Sequence, residues 1–468
     1  MKRTKIIATI STLNCGAEFI RSLYENGMNV VRLNTAHMEV EELEGIVQTV
    51  RSVSDKIGIL IDTKGPNIRT CDLAEPRAIV KGEEVRVSGD PAATGDVIRV
   101  SYQRFADDVQ AGQHILFDDG EVDLVIRSKS GSVLVCEACR DAVIRNRKSV
   151  NVPNASMKMP ALTEKDRRFI WAAIKLELDF IAHSFVRNRD DVMAVRSILE
   201  TANSPIQIIA KIENREGVDN VESILDAADG IMVARGDLGI EIPPEEVPSI
   251  QKRLIYSSMC KGKTVITATQ MLQSMEENLL PTRAEVSDVA NAVFDGTDAV
   301  MLSGETAKGK YPVESVTMMR RIIESSEASS GEHFTRPETM KNVVGADAYI
   351  VHAAVRSSGD LPVKALVCNT GSGASARCCA AYRPRIPIYA LSHHPQVVRQ
   401  LSLVYGVTAE HCPCIDDPLE LGRETARILL EKGDLERDDL VVLLSKNRPE
   451  IRRNNLCCIA TLGELQGE

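Results

Sequence analysis

The chain has 468 residues, 44% of them hydrophobic and only 4% aromatic, with 56 Lys and Arg against 66 Asp and Glu for a net charge of −10. At about 100 to 200 residues per domain this is enough for roughly three domains with cores of their own. The composition excludes a disordered chain, a collagen or a small disulfide scaffold. The acidic balance argues against a general binder of nucleic-acid backbones, and no apolar run reaches the roughly 18 residues of a membrane span. Residues 1–10 are charged and then briefly apolar, which reads as a first strand and not as a secretory leader. A cytoplasmic protein is expected, whose twelve cysteines, seven of them after residue 360, are reduced thiols.

In chain order, short apolar β-branched runs alternate with segments of helical period. Eight such runs stand out: Lys5 to Ile10, Asn29 to Asn34, Ile57 to Asp62, Phe180 to Phe185, Ile206 to Glu213, Gly230 to Ala234, Thr264 to Thr269 and Ala299 to Gly304. This is the signature of parallel strands with crossover helices, and eight of them predict a closed (β/α)8 barrel of the TIM type. Between the third and fourth runs, from Pro66 to Pro160, the pattern becomes short and alternating, with turns such as Asp118-Asp119-Gly120 and Ser130-Gly131. The barrel is therefore expected to span 1–65 and 161–330, with a β-rich lid domain of 66–160 inserted at a strand's C-terminal loop. Helix resumes at Thr163, where Thr163 and Asp166 offer a capping box.

The polar stretch Glu324 to Glu338 predicts a linker, followed by an open α/β domain over 331–468. Its strands are expected at Ala365 to Asn369, Ile386 to Leu391, Val407 to His411 and Leu440 to Leu444, with an edge at Cys457 to Thr461. Cys136-x-x-Cys139 has no second pair or histidine at zinc spacing and sits in a strand-like context, so a plain strand is the simpler reading. His411-Cys412-Pro413-Cys414 likewise reads as a strand end.

Side chains at i and i+2 share a strand face. Six of the eight runs end in such a polar pair: Arg32/Asn34, Asp62/Lys64, Lys211/Glu213, Arg235/Asp237, Thr267/Thr269 and Ser303/Glu305. Any one pair is ordinary where a strand meets the surface, but six converging on a barrel mouth indicate an active site. Lys211 and Glu213 lie in an otherwise apolar strand, where an isolated charge costs several kcal/mol, so each needs a partner or a ligand. The turn Arg235-Gly236-Asp237 offers the amides of Gly236 and Asp237 at a helix N-terminus to a small carboxylate. Glu213 and Asp237 are hard oxygen donors suited to Mg²⁺. Together with Arg32, Lys64, Arg69 and Lys211 they make a mixed-sign site that fits a metal-bound anion, most simply a phosphorylated carboxylate.

The segments NVVRLNTAH (29–37), DTKGPNIRT (62–70), KIENREGVDN (211–220), GIMVARGDLG (230–239), ITATQMLQSM (266–275) and the long run from Pro281 to Pro312 resemble the pyruvate kinase family. The resemblance extends through FDDG (117–120) in the insertion and RPRIPIYAL (383–391) in the tail. It implies transfer of phosphate from phosphoenolpyruvate to ADP by a barrel with a mobile lid and a C-terminal regulatory domain, in a homotetramer that needs Mg²⁺ or Mn²⁺. It implies that Lys211 steadies the transferring phosphoryl group and the enolate, that Glu213 and Asp237 hold the metal, and that Arg32 binds phosphate. Gly236, Asp237 and Thr269 would hold the substrate carboxylate, and Thr269, Ser303 and Glu305 would order a water that protonates the enolate. Asn34, Asp62 and Thr63 resemble monovalent-cation ligands, His37, Arg69 and Lys148 nucleotide-phosphate contacts, and Asp119 a lid residue that closes on the site.

Two departures concern K⁺. Ala36 stands where the family's RLNxS motif has serine, and Asn67 where an acidic residue is usual, which leaves K⁺ dependence open. In the tail, the loop Thr370-Gly371-Ser372-Gly373-Ala374-Ser375 resembles the family's effector-phosphate cradle, suited to a sugar phosphate or a nucleoside monophosphate, or is a plain turn capped by Ser375. A Mg²⁺-dependent lyase or aldolase would share the Arg, Glu and Asp but would need neither Lys211 nor the lid. A non-catalytic barrel would have lost one of Arg32, Lys211, Glu213, Asp237 or Thr269, and all are present.

Overall fold

The computed structural model describes residues 2–329, 346–415, 417–446 and 455–467. Eight parallel strands close into a barrel: Lys5–Ile10, Val30–Asn34, Gly58–Asp62, Phe180–His183, Gln207–Ile212, Gly230–Ala234, Thr264–Ala268 and Ala299–Leu302. The first strand pairs with both the second and the last, through Ile7 with Val30 and Lys5 with Ala299, which closes the ring.

Side-chain alternation sorts each strand between two cores. Ile7, Val30, Leu60, Phe180, Ile209, Met232, Ile266 and Met301 fill the lumen, while Ile6, Val31, Ile61, Ile181, Ile208 and Val265 face the surrounding helices. The base of the lumen is sealed by a residue from another domain, Leu403, which is fully buried among the lumen side chains. The fourth, fifth, seventh and eighth barrel strands end earlier than expected, at His183, Ile212, Ala268 and Leu302. Phe185 adopts φ 55°, Thr269 φ 68°, and a short helix, Gly304–Ala307, begins where the last strand was expected to continue.

After the third barrel strand come nine short strands between Ile68 and Asn151, seven of which close a second, smaller barrel around Val85, Phe117, Leu124 and Leu134. The chain returns through the helix Glu164–Lys175, whose N-terminus carries the expected capping box between Thr163 and Asp166. Asp166 does more than cap, because its other oxygen accepts the amides of Lys64 and Gly65 and so ties the exit of the third strand to the entry of this helix.

The helix Pro312–Ser329 runs through the first part of the expected linker, which corrects its start. Glu327 is drawn into order because its carboxylate accepts the amides of Arg3 and Thr4 beside the first strand. The remainder of the expected linker, 330–338, lies outside the described residues. The tail forms a five-stranded sheet in the order Val407–His411, Ile388–Ser392, Ala365–Asn369, Leu440–Ser445, Leu456–Thr461, parallel but for the last strand.

This domain grips the barrel through buried ion pairs. Asp298, at the foot of the last barrel strand, accepts the Arg383 guanidinium at 2.9 Å and the Tyr405 amide at 3.0 Å. Asp179 accepts Arg399 at 2.7 Å and Arg51 at 2.9 Å. Asp298 and Arg383 are 4% and 3% exposed, so removing one leaves the other charged and unsolvated. Replacing Asp298 by Ala is expected to cost about 3–5 kcal/mol, read as a lower urea midpoint for loss of circular dichroism. An unchanged midpoint would show that the pair contributes nothing to holding the domains.

Candidate active site

At the mouth of the barrel the inward-facing alternation continues past the apolar lumen into charged residues. Arg32 follows Val30, Asp62 follows Leu60 and Lys211 follows Ile209, each two positions on and on the same strand face. Asp62 is 1% exposed and joins them: Arg32 Nε donates to its Oδ2 at 2.8 Å, and Lys211 Nζ lies 3.1 Å from its Oδ1. Arg32 also donates to Thr9 Oγ1 at 3.0 Å. Burial alone would raise the Asp62 carboxyl, but Lys211 and Arg32 outweigh it and hold the group below the ordinary range. Lys211 is buried too, which by itself would favour the neutral amine, yet Asp62, Glu213 and Asp237 raise it above the usual lysine value and keep it an ammonium.

Glu213 lies just past the strand and is 1% exposed. Its Oε2 accepts the Phe185 amide at 2.6 Å. Its Oε1 is 2.9 Å from Lys211 Nζ but lacks the alignment of a hydrogen bond, so this buried oxygen has an ionic neighbour and an unused lone pair. Burial, with Asp237 adding to it against Lys211, pushes Glu213 up to about 7. The Asp237 carboxylate, on the short helix Arg235–Glu241, has no hydrogen-bond partner among the described residues and lines the cavity above the barrel. Two under-coordinated carboxylates that burden each other are the environment a divalent cation relieves.

That cavity, of about 610 Å³, lies between the barrel mouth and the inserted domain, bordered by Asn67, Arg69, Asp119, Asn151, Phe185 and Asp237 among others. The inserted domain reaches the barrel through Asn151 to Glu241 at 3.0 Å and Ser156 to Glu216 at 2.9 Å.

Models of the pyruvate kinase barrel domain and of the pyruvate kinase alpha/beta domain match residues 1–316 and 348–460. The chain is 42% identical to a pyruvate kinase of Borreliella burgdorferi across 95% of this chain and 94% of that one. It is 46% identical to one of Sporosarcina psychrophila across 99% and 81%. A crystal structure of a pyruvate kinase from Cryptosporidium parvum superposes with a TM-score of 0.91 at 35% identity, covering 98% of this chain and 96% of that one. The chain belongs to the pyruvate kinase family. It is thus a phosphotransferase of glycolysis, and the family implies a divalent metal and the substrates phosphoenolpyruvate and ADP.

Several expected pyruvate kinase residues stand differently from the strand-pair reading. Gly236 donates its amide to Thr269 Oγ1 at 2.7 Å, so this amide does not open freely into the pocket, and Thr269 in turn donates to the Ala268 carbonyl at 2.6 Å. Arg235 is not paired with Asp237 across a strand face, because helix begins there; it turns away to Asp288 at 2.6 Å and to the carbonyls of Ala268 and Thr269. Thr267 is fully buried against Thr297, and Lys64 is exposed. Glu305 is 2% exposed and accepts the amides of Ser303 at 2.7 Å and Leu272 at 3.1 Å. It thereby ties two loops together; Ser303 Oγ, by contrast, is buried without a partner among the described residues.

The expected monovalent-cation ligands do come together, since Asn34 pairs with Asp62 in register. Their oxygens are engaged, however: Asn34 Oδ1 accepts the Ala36 amide, Thr63 Oγ1 accepts the Ser184 amide, and Asp62 holds Arg32 and Lys211. Among the expected phosphate contacts, Arg69 is exposed at the cavity and donates to the Arg147 carbonyl, while Lys148 binds Asp118 at 2.9 Å. The side chain of His37 lies outside those described. Asp119, at φ 56°, is fixed by the Ser149 hydroxyl and borders the cavity. In the tail, Thr370 Oγ1 accepts the amide of Gly373, whose φ of 77° starts the helix Ala374–Ala381, and Arg377 donates to the Ser372 carbonyl.

The residue that sequence reasoning passed over is Ser184. Its hydroxyl donates to the Thr63 carbonyl at 2.7 Å, accepts from Lys211 Nζ at 2.9 Å and lies 3.2 Å from Asp62. A single hydroxyl at a strand end carries no pattern, so only the parallel register of its strand with those of Asp62 and Lys211 reveals it. Ser184→Ala is expected to lower kcat for pyruvate formation about tenfold, the effect of losing one hydrogen bond to a charged group, with little change in the KM for ADP. Wild-type kcat would show that Lys211 needs no hydroxyl to be aimed.

Proposed function

We propose that phosphoryl transfer from phosphoenolpyruvate to ADP takes place on Lys211, with Glu213 and Asp237 as the ligands of Mg²⁺. The observation that carries this is a buried ammonium kept charged by Asp62 and Glu213 while its hydrogen bond to Ser184 fixes its aim at the mouth. The orphaned oxygen of Glu213 and the open Asp237 carboxylate fit a hard divalent cation, Mn²⁺ as well as Mg²⁺. When bound, the cation neutralises charge on phosphate and enolate oxygens. Lys211 places its positive charge where the enolate oxygen develops, so it stabilises the transition state more than the bound substrate. Arg32, steadied by Asp62 and Thr9, directs a guanidinium to the phosphoryl group between donor and acceptor.

The Asp237 backbone and the Thr269 and Gly236 pair receive the substrate carboxylate, with the Thr269 hydroxyl exchanging its bond to Gly236 for one to the ligand. Ser303, with its free buried hydroxyl, and Thr269 hold the proton path to the enolate, and Glu305 keeps Ser303 in place. Arg69, Lys148 and His37 meet the nucleotide phosphates, and Asp119 on the 66–160 lid closes over them to exclude water. Asn34, Asp62 and Thr63 would hold K⁺ only by giving up their internal bonds, with water supplying what Ala36 lacks, so K⁺ is not required for turnover. The 331–468 domain regulates the enzyme by binding a phosphorylated effector at Thr370, Ser372, Gly373 and Ser375, in a cytoplasmic homotetramer.

Lys211→Met is expected to abolish transfer while Mn²⁺, followed by its electron paramagnetic resonance, still binds with near wild-type affinity. Near-normal turnover in that variant would remove Lys211 from the mechanism. Glu213→Gln should weaken Mn²⁺ binding about tenfold or more, and an unshifted titration would count against it as a ligand. Turnover measured with K⁺ replaced by a bulky cation at constant ionic strength tests the cation site: retained activity is expected from the engaged state of its oxygens, and a strict K⁺ requirement would show that Asn34 and Thr63 release their internal bonds to hold the ion.

A further inference from the structure

The two cysteines of Cys136-x-x-Cys139 do not form a pair. Cys136 is 1% exposed and packs in the core of the inserted domain, whereas Cys139 lies just beyond the strand Val133–Ala138 and is partly exposed. Cys139 meets two residues distant in sequence. His114 opens the strand His114–Phe117, and Asp123 sits at the start of the neighbouring antiparallel strand Val122–Ser130. His114 Nδ1 is 2.7 Å from Asp123 Oδ1. The Cys139 amide donates to the Asp123 carbonyl at 2.9 Å, which pins the thiol beside the same residue. One ligand atom from each of the three, a nitrogen, an oxygen and a sulfur, lies within 4.8 Å of the other two.

We infer that His114, Asp123 and Cys139 form a binding site on the inserted domain for a divalent ion of the zinc class, separate from the Mg²⁺ ligands at the barrel mouth. Thiolate and imidazole select Zn²⁺ over Mg²⁺, and three protein ligands leave a fourth position for water. In a tetrahedral site the ligand atoms stand about 3.3 to 3.7 Å apart, given the usual zinc bond lengths. The His114–Asp123 pair must open slightly and the thiol swing in, changes within the reach of a rotamer. Three strands joined by backbone hydrogen bonds hold the ligands, so little chain entropy is lost on binding.

Binding displaces one proton. The Cys139 S–H bond breaks, the sulfur electron pair goes to the metal and the proton to solvent, while the hydrogen that His114 Nδ1 carries to face the Asp123 carboxylate is lost to solvent and replaced by one on Nε2, which frees the Nδ1 lone pair for the metal with no further net proton change. Burial, with Asp123 beside it, raises the thiol above its ordinary value, so the metal-free site keeps this proton. Two cations face the site: Arg140, 3.8 Å from Asp123 and half exposed, yields to the metal, and Arg127 is engaged with Glu137 at 3.0 Å. The strand that begins at His114 leads directly into the Asp118–Gly120 turn, so an ion here anchors the base of the turn that carries Asp119.

The test uses the full-length reduced protein stripped of metal. On adding Co²⁺, one equivalent should produce a thiolate-to-cobalt charge-transfer band and the visible bands of tetrahedral cobalt, both abolished by Zn²⁺. The band should vanish in Cys139→Ser and in His114→Ala and persist in Cys414→Ser, an exposed thiol elsewhere. Both ligand variants should retain Mg²⁺-supported pyruvate formation, which shows that they fold. Absence of the band from the wild type, or its persistence in Cys139→Ser, would overturn the proposal. Independently of any variant, Zn²⁺ should slow alkylation of Cys139, read by peptide mass spectrometry, at least tenfold, and an unchanged rate would also overturn it.

Discussion

Everything at the barrel mouth depends on burying charges that cannot be buried singly. Arg32, Asp62, Lys211 and Glu213 lie where each alone would cost several kcal/mol in desolvation. They are tolerable together because Asp62 spans Arg32 and Lys211, and Lys211 spans Asp62 and Glu213. The set is balanced, two cations against two anions, until Asp237 is counted, which leaves an excess of negative charge beside Glu213. The site is thus an ion network, and its rigidity comes from the strands beneath it.

Those strands explain how such a network stays in register. Parallel pairing puts Asn34 opposite Asp62 and Ala182 opposite Asp62 and Ile209, so side chains distant in sequence arrive at one level without relying on loops. The polar residues that only support the site are bound to backbone. Glu305 accepts two amides, Asp166 fixes the exit of the third strand, and Arg235 clamps the carbonyls beside Thr269. These residues look as chemical as Lys211 in the sequence, yet their hydrogen-bond capacity is taken up by the chain itself.

That difference marks the limit of what could be read from residues alone. The eight strands, the inserted β domain and the edge strand of the tail were legible because period-2 alternation and apolar runs are local signals. Lys211 and Glu213 stood out because charge inside an apolar strand demands a partner. The pairs Arg235/Asp237 and Ser303/Glu305 misled, since the i, i+2 rule holds only while the chain remains a strand, and helix begins at Arg235 and Gly304. Ser184 was invisible for the opposite reason: its importance lies entirely in strands that come from other parts of the chain. The cluster of His114, Asp123 and Cys139 was hidden in the same way, and the spacing that drew notice, Cys136 to Cys139, put the two thiols on opposite sides of the sheet.

The same geometry connects the tail domain to the chemistry. Asp179 stands immediately before the fourth barrel strand, accepts the Ile59 amide on the third, and binds Arg399 from the tail and Arg51 from a barrel helix. The upper ends of those two strands carry Asp62 and Ser184, both of which contact Lys211. Leu403, four residues beyond Arg399, plugs the lumen beneath them. A displacement of the tail that pulls on Asp179 therefore acts at the base of the strands whose tips aim the lysine. Packed strands transmit such a shift because they slide as units and resist bending. A ligand at the Thr370 to Ser375 loop would need only to favour one docking of the tail over another to alter the ion network at the opposite end of the barrel.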